Sequence, residues 1–107
     1  MISRLDLDVA IYRDRVQVTH RASGAFADQR AEYPFSSETA LVAKPRFLED
    51  TLVRAIRHLL KEGGFALREP IARVIRCEEP LADDDLAKVE EALRETGMSD
   101  IVFASGD

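Results

Sequence analysis

Hydrophobic and polar residues alternate strictly over residues 4–12, a period of two that is typical of a strand with one face on a core. The residues on its apolar face are Leu5, Leu7, Val9 and Ile11. A polar break at Arg13-Asp14 leads into a second alternating run, with Val16, Val18 and His20 on one side. Two such runs across a short break predict an antiparallel hairpin, although Arg-Asp lacks the glycine of the favoured turns.

The pattern is weaker over residues 21–44. Ser23-Gly24 indicates a turn, and residues 25–33 fit either a third strand or the far end of the second. Residues 40–43, "ALVA", form a short apolar run that fits another strand. The sequence does not decide between the two alternatives for residues 25–33.

A helix is predicted from Pro45, because proline suits the first helical turn, where its missing N–H removes no bond. Its apolar stripe consists of Leu48, Leu52, Ile56 and Leu59. Glu49 and Asp50 are expected on the first turn, and Asp50 precedes Arg54 by the four residues of a supportive ion pair. Gly63-Gly64 is expected to end this helix.

The second half of the chain predicts strand, helix and strand. Residues 71–77 are rich in β-branched side chains and indicate a buried strand. Residues 82–96 predict a helix that turns Leu86, Val89 and Leu93 inward and ends at Gly97. Residues 100–105, "DIVFAS", predict a last strand covered on both faces, because they have no polar side.

These elements predict a single α/β domain with a mixed sheet of about five strands and two helices. The hairpin is antiparallel, and the strand–helix–strand unit should be parallel and right-handed.

Seven carboxylates and the only cysteine, Cys77, crowd into residues 75–91. One interpretation is an ordinary helix start, in which Asp83, Asp84 and Asp85 follow an N-cap at Ala82 and are stabilised by the positive end of the helix dipole. The other is a metal site, which needs several oxygens converging on one point. Consecutive helical residues point about 100° apart, so these three aspartates cannot converge, and we favour the helix start.

The order of elements resembles the ribonuclease H-like fold, which is also the repeated half of actin-like ATPases. In metal-dependent nucleases of that fold, acids come from the first strand, the first helix and the end of the fourth strand. The residues at those positions here are Asp6 or Asp8, Glu49 or Asp50, and Glu78 or Glu79. The resemblance implies an alternative function, a metal-dependent phosphodiesterase or nuclease that uses these acids around two divalent ions.

The segments "RLDLDVAIYRDRVQV" and "PIARVIRCEEPLADDDLAKVEEALRETGMSDIVF" look like parts of bacterial rod-shape actins. The phosphate loop of that family has an aspartate followed by a glycine and a small hydroxyl residue. Asp8-Val9-Ala10 stands there in this chain, so we predict no nucleotide cofactor.

Charge and composition restrict the partners and the location. A net charge of -5 argues against a dedicated nucleic-acid binder. No apolar run is long enough to span a membrane, and acids interrupt the first residues, "MISRLDLD", where a signal peptide needs an apolar core. We therefore expect a cytoplasmic protein without a membrane partner.

The remaining candidates favour structural roles. Cys77 fits a buried structural cysteine, its neighbours Glu78 and Glu79 raising the thiol pKa. His20 is expected in solvent, and His58 near a helix end.

Tyr33, Pro34 and Phe35 form an apolar cluster that either folds onto the core or anchors a partner.

We accordingly assign no catalytic, cofactor-binding or metal-ligating residue from the sequence. The leading hypothesis is a non-enzymatic interaction or regulatory module that self-associates, through a strand edge or an uncovered sheet face.

Overall fold

The computed structural model describes residues 5–63 and 70–104. Residues 1–4, Gly64 and Ser105, on which parts of the predictions above fall, lie outside the described residues. The elements are, in chain order, β1 (Asp6–Tyr12), β2 (Arg15–His20), β3 (Phe26–Arg30), α1 (Pro45–Gly63), β4 (Ile71–Cys77), α2 (Asp83–Glu95) and β5 (Asp100–Phe103). The predicted α/β class is confirmed, and β3 decides for a third strand at residues 25–33.

The five strands form one mixed sheet in the order β3-β2-β1-β4-β5. The predicted hairpin is confirmed: β1 pairs antiparallel with β2, which pairs antiparallel with β3. On the other side of β1, β4 and β5 pair parallel, as the strand–helix–strand unit predicts, and β1 also pairs parallel with β4. The first strand is therefore central, and β3 and β5 are the two edges.

The sheet has a helix face and an open face. On the helix face, the apolar residues of β1 are fully buried and share one core cluster with both helices. Helix α1 packs on β2 and β3, and α2 packs on α1 and β5. The open face carries the alternate residues of β1, which are Asp6, Asp8, Ala10 and Tyr12.

The hairpin turn uses aspartate in place of glycine. Asp14 has a φ of 53°, in the left-handed region that aspartate tolerates better than most residues. Its carboxylate oxygen Oδ1 accepts a hydrogen bond from the Ser36 amide at 2.8 Å, and its own amide donates to Ser36 Oγ at 3.2 Å. The turn is thus tied to the loop that precedes α1.

The prediction of a strand at residues 40–43 is wrong. Leu41 and Val42 are buried in the core, but the segment is part of an irregular loop and pairs with no described strand. Ser36 Oγ donates a hydrogen bond to the Leu41 carbonyl at 2.6 Å, so this buried backbone group has a partner within the loop itself. The run at residues 40–43 is therefore apolar because Leu41 and Val42 are buried, and not because it forms a strand.

Helix α1 follows the prediction closely. Its four predicted stripe residues are all buried, and Arg54 Nε donates to Asp50 Oδ2 at 2.8 Å. The expectation for Glu49 and Asp50 is wrong by one turn: because the helix begins at Pro45, its first turn contains no acid. The described helices are too short or too polar to span a membrane.

Strand β4 contains a bulge that the sequence pattern did not indicate. Val74 lies opposite Val9 and Arg76 opposite Ala10, which leaves Ile75 as an extra residue. The bulge resets the alternation of the strand. Arg76 therefore lies on the open face, and Cys77, opposite Ile11, lies on the helix face.

Helix α2 begins as predicted, with Asp83, Asp84 and Asp85 in its first turn after an N-cap at Ala82. Val89 and Leu93 are buried, whereas Leu86 is only half-buried. The helix stops before Gly97, whose φ of 102° suits glycine.

The expectation that β5 is covered on both faces is wrong. Val102 and Phe103 are 39% and 36% exposed. Strand β5 is an edge strand of four residues, so its apolar composition does not result from a second covering layer.

Candidate interaction surface

Four of the six acids singled out in β1, in α1 and at the end of β4 lie beside arginines. Arg73 Nε donates to Asp6 Oδ1 at 3.1 Å, and Arg13 forms an ion pair with Glu79. Asp50 bonds Arg54 as described above, and Arg21 Nε lies 3.5 Å from Asp8 Oδ1. Each of these carboxylates therefore has a cation of its own nearby.

No three acids, histidines or cysteines within residues 5–63 and 70–104 form a group that could hold a metal ion. All six acids of the alternative hypothesis belong to those residues. The structure therefore does not bring the carboxylates of β1, α1 and the end of β4 together around one point, as two-metal chemistry requires.

The acidic first turn of α2 has a local explanation. Asp83 and Asp84 are exposed, and no side chain caps the helix, so the unpaired amides and the positive dipole end favour acids there. Leu81 and Leu86, which flank this turn, are both half-buried. Further along, Glu90 pairs with Arg94 at 3.8 Å.

A cleft of about 470 Å³ lies where β4 and β5 end and α2 begins. Its apolar lining includes Ile75, Cys77, Leu81, Leu86 and Phe103. In open α/β sheets, ligands commonly bind at the carboxyl ends of the strands. The cleft is mostly apolar, and at its wall Glu79 is already held by Arg13.

Cys77 is a free, half-buried thiol that packs against the core. Burial raises its pKa above the ordinary value. The direction agrees with the sequence argument, but the cause is desolvation and not the neighbouring acids. A raised pKa keeps the thiol protonated at neutral pH, which disfavours a role as a nucleophile.

The two histidines lie in different environments. His20 is buried, with Nδ1 2.7 Å from Ser23 Oγ, so the expectation of a solvent-exposed His20 is wrong. The turn after β2 folds back over this ring, which the local sequence did not indicate. His58 is exposed and lies with Arg57 and Lys61 in a shallow depression beside α1.

The apolar cluster before α1 was expected either to fold onto the core or to anchor a partner, and its two aromatic residues differ in this respect. Phe35 is fully buried in the core. Tyr33 is 52% exposed, and its ring centroid lies 5.3 Å from that of Phe47. The loop therefore folds onto the core through Phe35, while Tyr33 covers the start of the helix from outside.

The most exposed apolar strand residues distinguish the two edges of the sheet. At the β5 edge, Val102 and Phe103 are accompanied by Ile75, the bulged residue of β4, which is 43% exposed. We call these three side chains, with the outer backbone of β5, the β5 edge surface. In the part of the chain that the structure describes, β5 pairs only with β4.

The opposite edge, β3, is more polar. Phe26 is 64% exposed there, but the strand continues with charged and polar residues, and Asp28 forms an ion pair with Arg15 at 3.2 Å. Charged side chains on an edge strand oppose pairing with another chain. The sequence did not reveal the β5 edge surface, because a strand without a polar side can be either an inner strand covered on both faces or an edge strand that is free to pair. We expected the covered strand.

Comparison with known proteins gives no assignment. A scan against models of protein families finds no match, and a search of curated proteins finds none.

Proposed function

We propose that this protein is a non-enzymatic interaction domain that self-associates through the β5 edge surface. The observation that carries the proposal is the exposure of Val102 and Phe103 on a strand at the end of the sheet. An apolar edge strand offers unpaired backbone groups and apolar side chains together, a combination that favours pairing with another strand.

A second copy of the chain suits this surface for a physical reason. Closed homo-oligomers most often use one surface twice, around a two-fold axis. The β5 edge surface carries its apolar residues beside the strand backbone, so two copies would remove the same groups from water. The charged β3 edge supports no equivalent contact.

The alternative of a metal-dependent phosphodiesterase is not favoured by any specific observation. Asp6, Asp50 and Glu79 each lie against a different arginine. The ribonuclease H-like resemblance and the cytoplasmic location stay predictions.

The test is the molar mass of the protein in solution, measured by light scattering after gel filtration from about 1 µM to 1 mM. We expect the mass of the wild type to rise towards that of a dimer and the Val102→Lys variant to stay monomeric. Lysine placed on an edge strand opposes strand addition.

The matched control is Phe26→Lys, which also replaces an exposed apolar residue of an edge strand on the open face. It should associate like the wild type. A wild type that is monomeric over the whole range would contradict self-association. Loss of association in Phe26→Lys and not in Val102→Lys would move the contact away from β5.

A further inference from the structure

We propose that a second copy adds its β5 antiparallel to this β5, on a two-fold axis that passes beside Val102 and joins the two sheets into one. The inference rests on the proposed self-association and specifies its geometry. Hydrogen-bond direction, side-chain facing and charge each support it.

The backbone of β5 determines which groups face outward. The amides of Asp100 and Ala104 donate to the Pro70 and Val74 carbonyls of the β4 side, at 3.3 and 3.0 Å. Backbone groups alternate in direction along a strand. Ile101 and Phe103 therefore direct their N–H and C=O groups away from β4, towards the outer edge.

These outward groups define the register. In an antiparallel pair, two opposite residues of the hydrogen-bonded kind exchange both of their bonds. Ile101 would then lie opposite the partner's Phe103, and Phe103 opposite the partner's Ile101. Val102 lies midway between them and must face Val102 of the partner subunit, at a non-hydrogen-bonded position where the strands approach most closely.

The side chains are apolar on both faces of this pairing. Val102 lies opposite Arg73 in the β4 register and so belongs to the open face, where the two valines would meet. Ile101 and Phe103 lie opposite Ala72 and Val74, which are core residues, and so belong to the helix face. Aliphatic and aromatic cross-strand pairs of this kind stabilise sheets.

The charges select the antiparallel direction. Asp100 begins β5 and lies on the open face, opposite Ile71 and Asp6 in the register. Arg76 is exposed on the same face. It lies near the carboxyl end of β4, past the last residue of β4 that pairs with β5. Antiparallel pairing brings Asp100 to the end of the sheet at which the partner's Arg76 lies. Parallel pairing in register would place the two Asp100 side chains side by side, which is unfavourable.

The experiment is a disulfide cross-link at the axis, in a Cys77→Ser background that removes the native thiol. At a non-hydrogen-bonded pair the Cα atoms lie about 4.5 Å apart, which a disulfide can bridge. We expect Val102→Cys to give a covalent dimer on mild oxidation, seen on a non-reducing gel and as a single symmetric linkage by peptide mass spectrometry. Phe26→Cys, the matched control on the other edge, should associate like the wild type but give no covalent dimer on oxidation.

Light scattering of the reduced Val102→Cys protein separates the two proposals. A dimer that forms no disulfide on oxidation would overturn the antiparallel register while self-association stands. Equal cross-linking of Phe26→Cys would show random collision and would also overturn the register. A reduced protein that is monomeric at every concentration would overturn self-association itself.

Discussion

Arg73 of β4 lies opposite Asp8 in the β1–β4 register, yet its Nε donates a hydrogen bond to Oδ1 of Asp6, two residues back along β1 on the same face. Arg21 approaches Asp8 instead, at 3.5 Å. The acids of β1 are thus held in separate pairs on the open face. Their charges are balanced across the sheet without a shared ion.

This arrangement predicts indifference to divalent metals. Addition of Mg²⁺ or Mn²⁺ should leave the midpoint of thermal unfolding unchanged, because no described group of acids can hold the ion. Asp6→Asn should lower the free energy of unfolding by no more than about 1 kcal/mol, as is usual for partly exposed ion pairs. A metal-dependent rise in the midpoint that disappears in Asp6→Asn would contradict the prediction.

The first turn of α2 predicts a salt-dependent contribution to stability. Asp83→Asn and Asp84→Asn should each cost from a few tenths to about 1 kcal/mol of unfolding free energy at low salt, because each removes a charge from the positive dipole end. The cost should shrink at high salt, where the field is screened. Urea unfolding at two ionic strengths measures it. Glu91→Gln, an exposed site further along the helix, is the control and should show a smaller change.

Phe35 and Tyr33 predict unequal effects of truncation. Phe35→Ala should cost about 3 to 5 kcal/mol, because the ring is fully buried and leaves a cavity in the core. Tyr33→Ala should cost less than about 1.5 kcal/mol, since the half-exposed ring loses mainly its contact with Phe47. Urea unfolding of both variants provides the comparison. Similar costs for the two would argue against the observed burial of the loop.

Cys77 predicts a loss of stability in alkali. Its pKa is raised by burial, so the folded state favours the protonated thiol. The resulting stabilisation is fully present below the ordinary thiol pKa of about 8.5 and is lost as the pH rises through the higher pKa of the folded state. Unfolding of the wild type and of Cys77→Ser should therefore be compared at neutral and alkaline pH. The wild type should lose more stability; equal loss would contradict the prediction.

Local patterns were sufficient to predict the elements with a clear period. The alternation in β1 and the spacing of the apolar residues in α1 predicted both elements and their buried faces correctly. Strand β4 was predicted with its observed bounds, because β-branched residues suit a pleated surface. These features depend on neighbours in sequence.

Features that depend on distant partners were not predictable from the pattern. Asp6 and Arg73 are 67 residues apart, and nothing near either residue indicates the other. The run at residues 40–43 has the composition of a strand but contributes only burial. The β5 edge surface was missed for a related reason, because its availability depends on the order of strands in the sheet and not on its own residues.

The bulge at Ile75 has a consequence for the length of β4. Removal of one residue from an inner strand normally slips its register and turns every later side chain to the wrong face. Here Ile75 is the surplus residue, since Val74 and Arg76 already lie opposite the consecutive residues Val9 and Ala10. A chain shortened by Ile75 alone would have a regular ladder with Arg76 and Cys77 still on their present faces. This inner strand should therefore tolerate a deletion that few others would.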